Sequence, residues 1–296
     1  MNHSTSDKPP SPSPGNTVRI NDLTVAAAYG QFLRDNGLCS LDALCTESLG
    51  ESLHKPGLGA WRERLRLTLT HPSGPQAVFL KRFFHPPSRV RQAVRASGTG
   101  ATSVAALEWA WMHRLAADGI PTIVPIAFGE ELRDGREVRS AILSVKVPGD
   151  ALERLTAKWG PERRRTVQQL LGTTANLIAR FHRRGYVHRD LYLSHVFFDD
   201  RAEKEEALHL IDVQRVMRPR WRVGRWIVKD LASLNYSTPP VLVTTADRVR
   251  WLKRYLELTK LDARAKRLIR QVEAKTQRIA KHDQRRRARL QPGGSD

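Results

Sequence analysis

Two acidic residues set among short apolar runs are the first candidates for chemistry. Asp190 lies in VHRDLYLSHVFFDD, residues 187–200, just ahead of the apolar run Val196-Phe197-Phe198. Asp212 closes the next apolar run, Leu208 to Ile211. The polar turn between the runs predicts a hairpin, which would bring the two carboxylates together. Phosphoryl transfer from ATP needs a carboxylate near the acceptor hydroxyl, a second one holding magnesium, and a lysine that neutralises the phosphates. Lys81 suits the third role, because it follows Val78-Phe79-Leu80 on an extended run. Glu108 lies in the next helical stretch and can pair with it, and Gly57-Leu58-Gly59 stands just before the first strand as a short glycine loop. Each residue alone also fits a solvated surface role. The order of glycine loop, strand lysine, helix glutamate, His-Arg-Asp loop and strand-end aspartate favours the chemical reading.

The elements that must position these residues follow from periodicity. Residues 1–20 are rich in Ser and Pro with no apolar run, and read as a disordered tail that cannot serve as a secretory signal. From Asn21 the spacing of Leu23, Ala26, Ala27 and Phe32 predicts a helix, ended by Asn36-Gly37. Residues 64–70 alternate strictly, Pro72-Ser73-Gly74-Pro75 turns the chain, and residues 77–83 resume an extended run, which predicts a hairpin. A helix over 101–117 follows, with Leu107, Trp111 and Leu115 on one face. A second hairpin turns at Asp134-Gly135.

Pro148-Gly149 then breaks the chain, and beyond it the balance turns helical. Val167, Leu170, Leu171, Leu177, Ile178 and Phe181 mark a long amphipathic helix closed by Gly185, and helices are expected again from Lys229 onward. The division expected is therefore a tail (1–20), a strand-rich lobe with one inserted helix (21–147), a mainly helical lobe (148–262) and a basic helical tail (263–296).

The formal net charge of +20 over 296 residues points to polyanionic partners, without choosing among nucleic acid, anionic lipid and phosphorylated substrate. Two cysteines, Cys39 and Cys45, lack metal-type spacing and imply neither a zinc site nor a disulfide framework. No apolar window is long enough to span a membrane.

The chain resembles the lipopolysaccharide core heptose kinases of the Kdo/WaaP group, over roughly residues 60–257. The likeness runs through Trp61-Arg62-Glu63-Arg64, Phe79-Leu80-Lys81, Glu108-Trp109, Gly119-Ile120-Pro121-Thr122 and, most specifically, His188-Arg189-Asp190-Leu191-Tyr192-Leu193-Ser194-His195. Ile211-Asp212-Val213-Gln214-Arg215, Arg220-Trp221, Lys229-Asp230-Leu231-Ala232-Ser233-Leu234 and Tyr236-Ser237 extend it.

The resemblance implies an α+β, bilobal protein-kinase-like fold, with a β-rich N-lobe carrying one inserted helix and a mainly helical C-lobe. It implies ATP and Mg2+ as cofactors, Asp190 as the acid that orients the acceptor, and Asp212 as magnesium ligand. Lys81 would be the phosphate-binding lysine, held by Glu108, with Gly57 and Gly59 in the nucleotide loop and Asp230 bracing the catalytic loop. His195 stands where protein kinases place a metal-binding Asn; magnesium prefers oxygen, so His195 is either a weak second ligand or a packing and hydrogen-bonding residue. Asp212-Val213-Gln214 replaces Asp-Phe-Gly, and no glycine-hinged switch is expected.

Between Asp212 and Asp230 lie Arg215, Arg218, Arg220, Arg222, Arg225 and Lys229, with Trp221 and Trp226 and no acid. Guanidinium groups fork onto carboxylate and phosphate, and indoles suit sugar rings, so an anionic glycan or glycolipid acceptor is expected, with Arg189, Arg215, Arg218, Arg220 and Trp221 as contact residues. The basic C-terminal stretch reads as an anchor to anionic lipid, which places the enzyme in the cytoplasm or peripherally on the inner face of the membrane. No obligate protein partner is implied. Two rivals stand beside this reading. One is a nucleic-acid- or polyanion-binding protein with an inactive kinase-like fold, against which the complete set of Lys81, Glu108, Asp190 and Asp212 argues. The other is a kinase acting on protein or another small molecule.

Overall fold

A computed structural model describes residues 16–46, 48–53, 59–203 and 207–290. The chain divides into two compact units, one ending at Val147 and the other beginning at Pro148.

The first unit runs β1 (Thr17–Ile20), β2 (Leu23–Ala26), α1 (Gly30–Asp35), α2 (Leu41–Cys45), β3 (Glu51–Ser52), β4 (Arg62–Leu69), β5 (Gln76–Phe84), α3 (Ser88–Arg95), α4 (Val104–Ala117), β6 (Pro125–Arg133) and β7 (Arg136–Val145). Its seven strands form one antiparallel sheet in the order β1-β2-β6-β7-β5-β4-β3. The alternation in β4 buries Leu65 and Leu67 and exposes Arg66 and Thr68 on the opposite face. The central strand β7 instead carries a continuous buried run, Ser140 to Ser144. Helix α4 packs against β6, β7 and β5 and buries Trp111, Met112 and Leu115.

The N-terminal segment corrects the sequence reading. Residues 17–20, expected in the disordered tail, pair with Leu23–Ala26, expected in a helix, in the register Thr17↔Ala26 to Ile20↔Leu23. The spacing of Leu23 and Ala26 suits a helix, but Val25 is fully buried with them, and Leu23 and Val25, two residues apart, share one face of the strand. Asn21 makes the intervening turn at φ +51°, a conformation that Asn tolerates.

The second unit runs β8 (Asp150–Ala151), α5 (Leu152–Thr156), α6 (Arg164–Arg183), β9 (Val196–Phe198), β10 (Leu208–Leu210), α7 (Val223–Ser237), α8 (Thr245–Tyr255) and α9 (Ala263–Leu290). The expected hairpin forms as β9–β10, and β8 pairs with the other edge of β9. Gly149 permits this: it adopts φ +74°, and a Cβ there would lie 2.0 Å from the carbonyl oxygen of Phe198. Helix α6 packs against α8, whose start is a capping box between Thr244 and Asp247, and α7 packs against α9.

Helix α7 begins six residues before the expected Lys229. Helix α9 is not a free tail. Asn235 Nδ2 donates to Thr276 Oγ1 at 3.1 Å, and Tyr236 OH donates to Asp283 Oδ2 at 2.7 Å. Trp159, Leu170, Leu234, Trp251, Ile269 and Val272 contribute to the wall of an apolar cavity of about 490 Å³ among α6, α7, α8 and α9. Among the described residues no helix is long and apolar enough to cross a membrane.

Candidate active site

In the first unit, Lys81 sits in β5 between Arg64 of β4 and Ile142 of β7. Its Nζ donates to Glu108 Oε2 at 2.7 Å, and the Glu108 side chain is fully buried on α4. The helix is pinned at its start from two sides. Ser103 caps it by accepting the Ala106 N–H, and the buried Glu137 carboxylate accepts the Val104 N–H at 3.0 Å and the Ser140 hydroxyl at 2.5 Å. Burial raises the Glu137 carboxyl to about 7, against the lowering effect of those two hydrogen bonds. Gly59 immediately precedes the turn into β4, whereas Gly57 lies outside the described residues.

In the second unit, α6 ends at Gly185, with φ +82°, and the chain passes through buried Tyr186 and Val187 into the His-Arg-Asp loop. Val187 forms an isolated backbone bridge with Met217. Asp230, fully buried on α7, holds the loop by its backbone: Oδ2 accepts the His188 N–H at 2.6 Å and Oδ1 the Arg189 N–H at 2.7 Å. His182 Nε2 lies 3.4 Å from the same carboxylate, and its Nδ1 lies 2.7 Å from Tyr255 OH.

Arg189 adopts φ +72°, a left-handed conformation that costs on the order of 1–3 kcal/mol for such a side chain and persists only where the surroundings fix it. Here the Asp230 bond fixes its backbone, and Trp226 stacks under its guanidinium at 5.3 Å. His188 is fully buried and burial pushes its imidazole down; Nε2–H donates to the Ile211 carbonyl at 2.9 Å.

Two cations meet the Asp190 carboxylate. Arg215 Nη1 donates to Oδ2 at 2.5 Å, and Lys229 Nζ lies 3.8 Å from Oδ1 while donating to the Arg189 carbonyl. Burial lowers the Lys229 ammonium, and the nearby Arg215 and Arg189 push the same way against Asp190.

Asp212 leaves β10 in the left-handed region, φ +58°, and turns into a 3-10 turn at Val213–Arg215. Its Oδ1 accepts from Gln214 Nε2 at 2.9 Å. His195 lies between the backbone of Asp190 and the side chain of Asp212. Its Nδ1 bonds the Asp190 carbonyl at 2.6 Å, and because a carbonyl only accepts, that nitrogen carries a proton; Nε2 then faces Asp212 Oδ2 at 3.6 Å. The Ile211 N–H donates back to the His195 carbonyl at 3.0 Å.

The other expected acceptor residues scatter. Arg218 lies over the Tyr186 ring at 5.1 Å, and Arg220 and Trp221 stand exposed, the indole 83 % so. Lys229, which the sequence offers as a basic residue after Asp212 and the start of a resemblance motif, is brought to Asp190 by α7. Among the described residues no group of three or more metal-ligating side chains occurs.

Comparison with known proteins accords with this geometry. The model of the lipopolysaccharide kinase (Kdo/WaaP) family matches residues 88–255, a span that includes Glu108, Asp190, His195, Asp212 and Asp230 and begins after Lys81. The chain is 30 % identical over 188 residues to the lipopolysaccharide core heptose(I) kinase WaaP of Escherichia coli K12, covering 60 % of this chain and 71 % of the relative. It is 30 % identical over 154 residues to the protein of the same name from Pseudomonas aeruginosa, covering 50 % and 58 %. A solved structure of WaaP in complex with acyl carrier protein superposes with a TM-score of 0.61 at 25 % identity, over 84 % of this chain and 97 % of that one. The kinase-like α+β fold, the catalytic-loop geometry and the family match agree: this chain belongs to the lipopolysaccharide kinase (Kdo/WaaP) family and is a phosphotransferase.

Proposed function

We propose that the protein transfers the γ-phosphoryl group of ATP to a heptose hydroxyl of a lipopolysaccharide core, the acceptor that its relatives' names give. The bond from the γ-phosphorus to the ADP oxygen breaks as the bond to the acceptor oxygen forms. The hydroxyl proton passes to Asp190, and ADP leaves. Lys81, oriented by the buried Glu108, takes the charge of the ATP phosphates, and Gly57 and Gly59 belong to the loop that covers them.

Asp212 is the residue that would hold magnesium, and the bound ion neutralises phosphate oxygens. Magnesium keeps several waters and binds through one or two carboxylates plus phosphates, so a single aspartate suits it. His195, whose Nδ1–H already bonds the Asp190 carbonyl, serves in this reading to set Asp190 and Asp212 relative to each other. That hydrogen bond, which ties His195 to the Asp190 backbone with its other ring nitrogen 3.6 Å from Asp212 Oδ2, is the observation that carries the assignment.

On the acceptor side, Arg215, the guanidinium placed at Asp190, would exchange that acid for a carboxylate or phosphate of an anionic sugar. Acyl carrier protein, present with the structural relative, was not expected from the sequence. The apolar cavity of about 490 Å³ supports the same partner here, since it falls in the range of pockets that enclose small apolar ligands such as an acyl chain. The exposed basic face of α9, with Arg278, Lys281, Arg285, Arg286 and Arg289, supports peripheral contact with anionic lipid.

The test is incubation of the purified chain with labelled ATP, magnesium and a panel of lipid-linked and free core saccharides. A phosphate mass increment on a heptose-containing acceptor, lost in Asp190→Ala while nucleotide still binds, is the expected result. Transfer to protein or to a free metabolite alone would replace the acceptor, and transfer to nothing would favour the binding-protein reading.

A further inference from the structure

Phosphoryl transfer concentrates negative charge on the oxygens of the group in flight, and a cation fixed beside the attacking hydroxyl stabilises that charge directly. Between Asp190 and His195 the loop carries no cation: Leu191, Tyr192, Leu193 and Ser194 fill that stretch. We propose that Lys229, on α7, is the cation that contacts the transferring phosphoryl group at Asp190. The proposal rests on the kinase reading above and names a catalytic residue within it.

Three observations carry it. The first is position: Lys229 Nζ hydrogen-bonds the Arg189 carbonyl and stands 3.8 Å from Asp190 Oδ1. That distance is beyond a hydrogen bond, so the carboxylate does not consume a donor. The ammonium has three N–H groups, and the Arg189 carbonyl is its one hydrogen-bond partner among the described residues. Two donors therefore remain available beside the acid that takes the acceptor proton.

The second is rigidity. The adjacent residue, Asp230, holds the backbone N–H groups of His188 and Arg189, so the helix that carries Lys229 is registered against the loop that carries Asp190. Arg215 is different. It comes from a 3-10 turn and its side chain is nearly half exposed, which suits a residue that moves to meet an acceptor.

The third is charge. Arg215 and Lys229 converge on a single partly exposed acid, Asp190, next in sequence to the cation Arg189, with Asp230 already taken up by backbone donors. A half-buried ammonium in a locally cationic setting is disfavoured on its own and becomes favourable when an anion arrives. The segment 213–222 contains no Ser, Thr or Tyr, so a phosphorylated residue of that segment cannot be the anion. The γ-phosphoryl group is the anion that the reaction brings to Asp190.

The experiment uses the full chain, ATP, magnesium and the acceptor found above. In Lys229→Met, kcat falls about 100-fold or more while KM for ATP changes less than about threefold, because the contact forms mainly in the transition state. Lys229→Arg, which keeps the charge, recovers part of the loss. A second readout needs no turnover: ADP with magnesium and fluoroaluminate, which mimics the group in flight, binds the wild type more tightly than ADP alone, and Lys229→Met loses that increment while retaining ADP affinity. Turnover and fluoroaluminate binding near wild type in Lys229→Met, or a loss matched by a lowered melting temperature and not relieved by Arg, would overturn the proposal and leave the kinase assignment standing. A wild type that transfers phosphate to no acceptor overturns both.

Discussion

Asp230 and Arg189 are joined by a 2.7 Å hydrogen bond from the Arg189 backbone N–H, and the second Asp230 oxygen takes the N–H of His188 at 2.6 Å. A buried carboxylate thus substitutes for the missing strand partner of a loop that runs between helix and hairpin. The positive φ of Arg189 is tolerable because this acid over-determines it.

Replacing Asp230 with Ala leaves two buried N–H groups without an acceptor. The expected loss is on the order of 2–5 kcal/mol, from the desolvated donors and the displaced loop together. It is read as a lowered thermal unfolding midpoint of the full chain, accompanied by loss of transfer. An unchanged midpoint would mean that water or another group satisfies the loop.

Glu108→Gln removes the buried charge that orients Lys81 at 2.7 Å. The Gln carbonyl still accepts from Lys81 but without the charge, so kcat/KM for ATP is expected to fall about 10–100-fold, with weaker nucleotide binding in equilibrium titration. A variant that binds and turns over ATP like the wild type would separate Lys81 from the nucleotide.

Glu137 supplies a pH dependence of stability. Its carboxyl is raised by burial from 4.5 to about 7 in the folded chain, so between those values the folded state holds a proton that the unfolded state has released. Stability falls as pH rises through this window, and the full cost, about 3 kcal/mol, is present above pH 7. Glu137→Gln is therefore expected to flatten the fall in unfolding midpoint between pH 5 and 8. A parallel fall in both proteins would assign it to another group.

Neutralising Arg285, Arg286 and Arg289 with Gln changes the exposed face of α9 without touching its contacts to Tyr236 and Asn235. At about 1 kcal/mol per basic residue near an anionic surface, partitioning onto phosphatidylglycerol vesicles should drop on the order of 100-fold at low salt. Sedimentation with vesicles measures it, and equal binding to zwitterionic vesicles would argue against the charge mechanism.

The sequence disclosed those parts whose pattern is long. Residues 64–70 alternate for a full strand, and 167–181 repeat at helical spacing through several turns, so the β4–β5 hairpin and α6 were legible, as was the pairing of Lys81 with Glu108 of α4, although the intervening α3 was not. Four-residue elements were not. Leu23–Ala26 offers both a helical and an extended spacing, and only pairing with Thr17–Ile20 and with β6 decides between them. The start of α7 was hidden because residues 218–222 are basic and Pro-containing, and Arg222 enters the helix from the left-handed region. Lys229 beside Asp190 depends on how α7 is turned against the loop, a tertiary fact that no local period encodes. The packing of α9 against α7 escaped for a related reason: its apolar stripe of Ile269, Val272 and Ile279 is narrow beside the excess of arginine.

The hydroxyl-free segment between Asp212 and Val223 has a physiological consequence. Many kinases are throttled by a covalent mark on this stretch, but here there is no side chain to carry one. Throttling by hydroxyl phosphorylation would have to act elsewhere in the chain, or give way to the supply of nucleotide and acceptor.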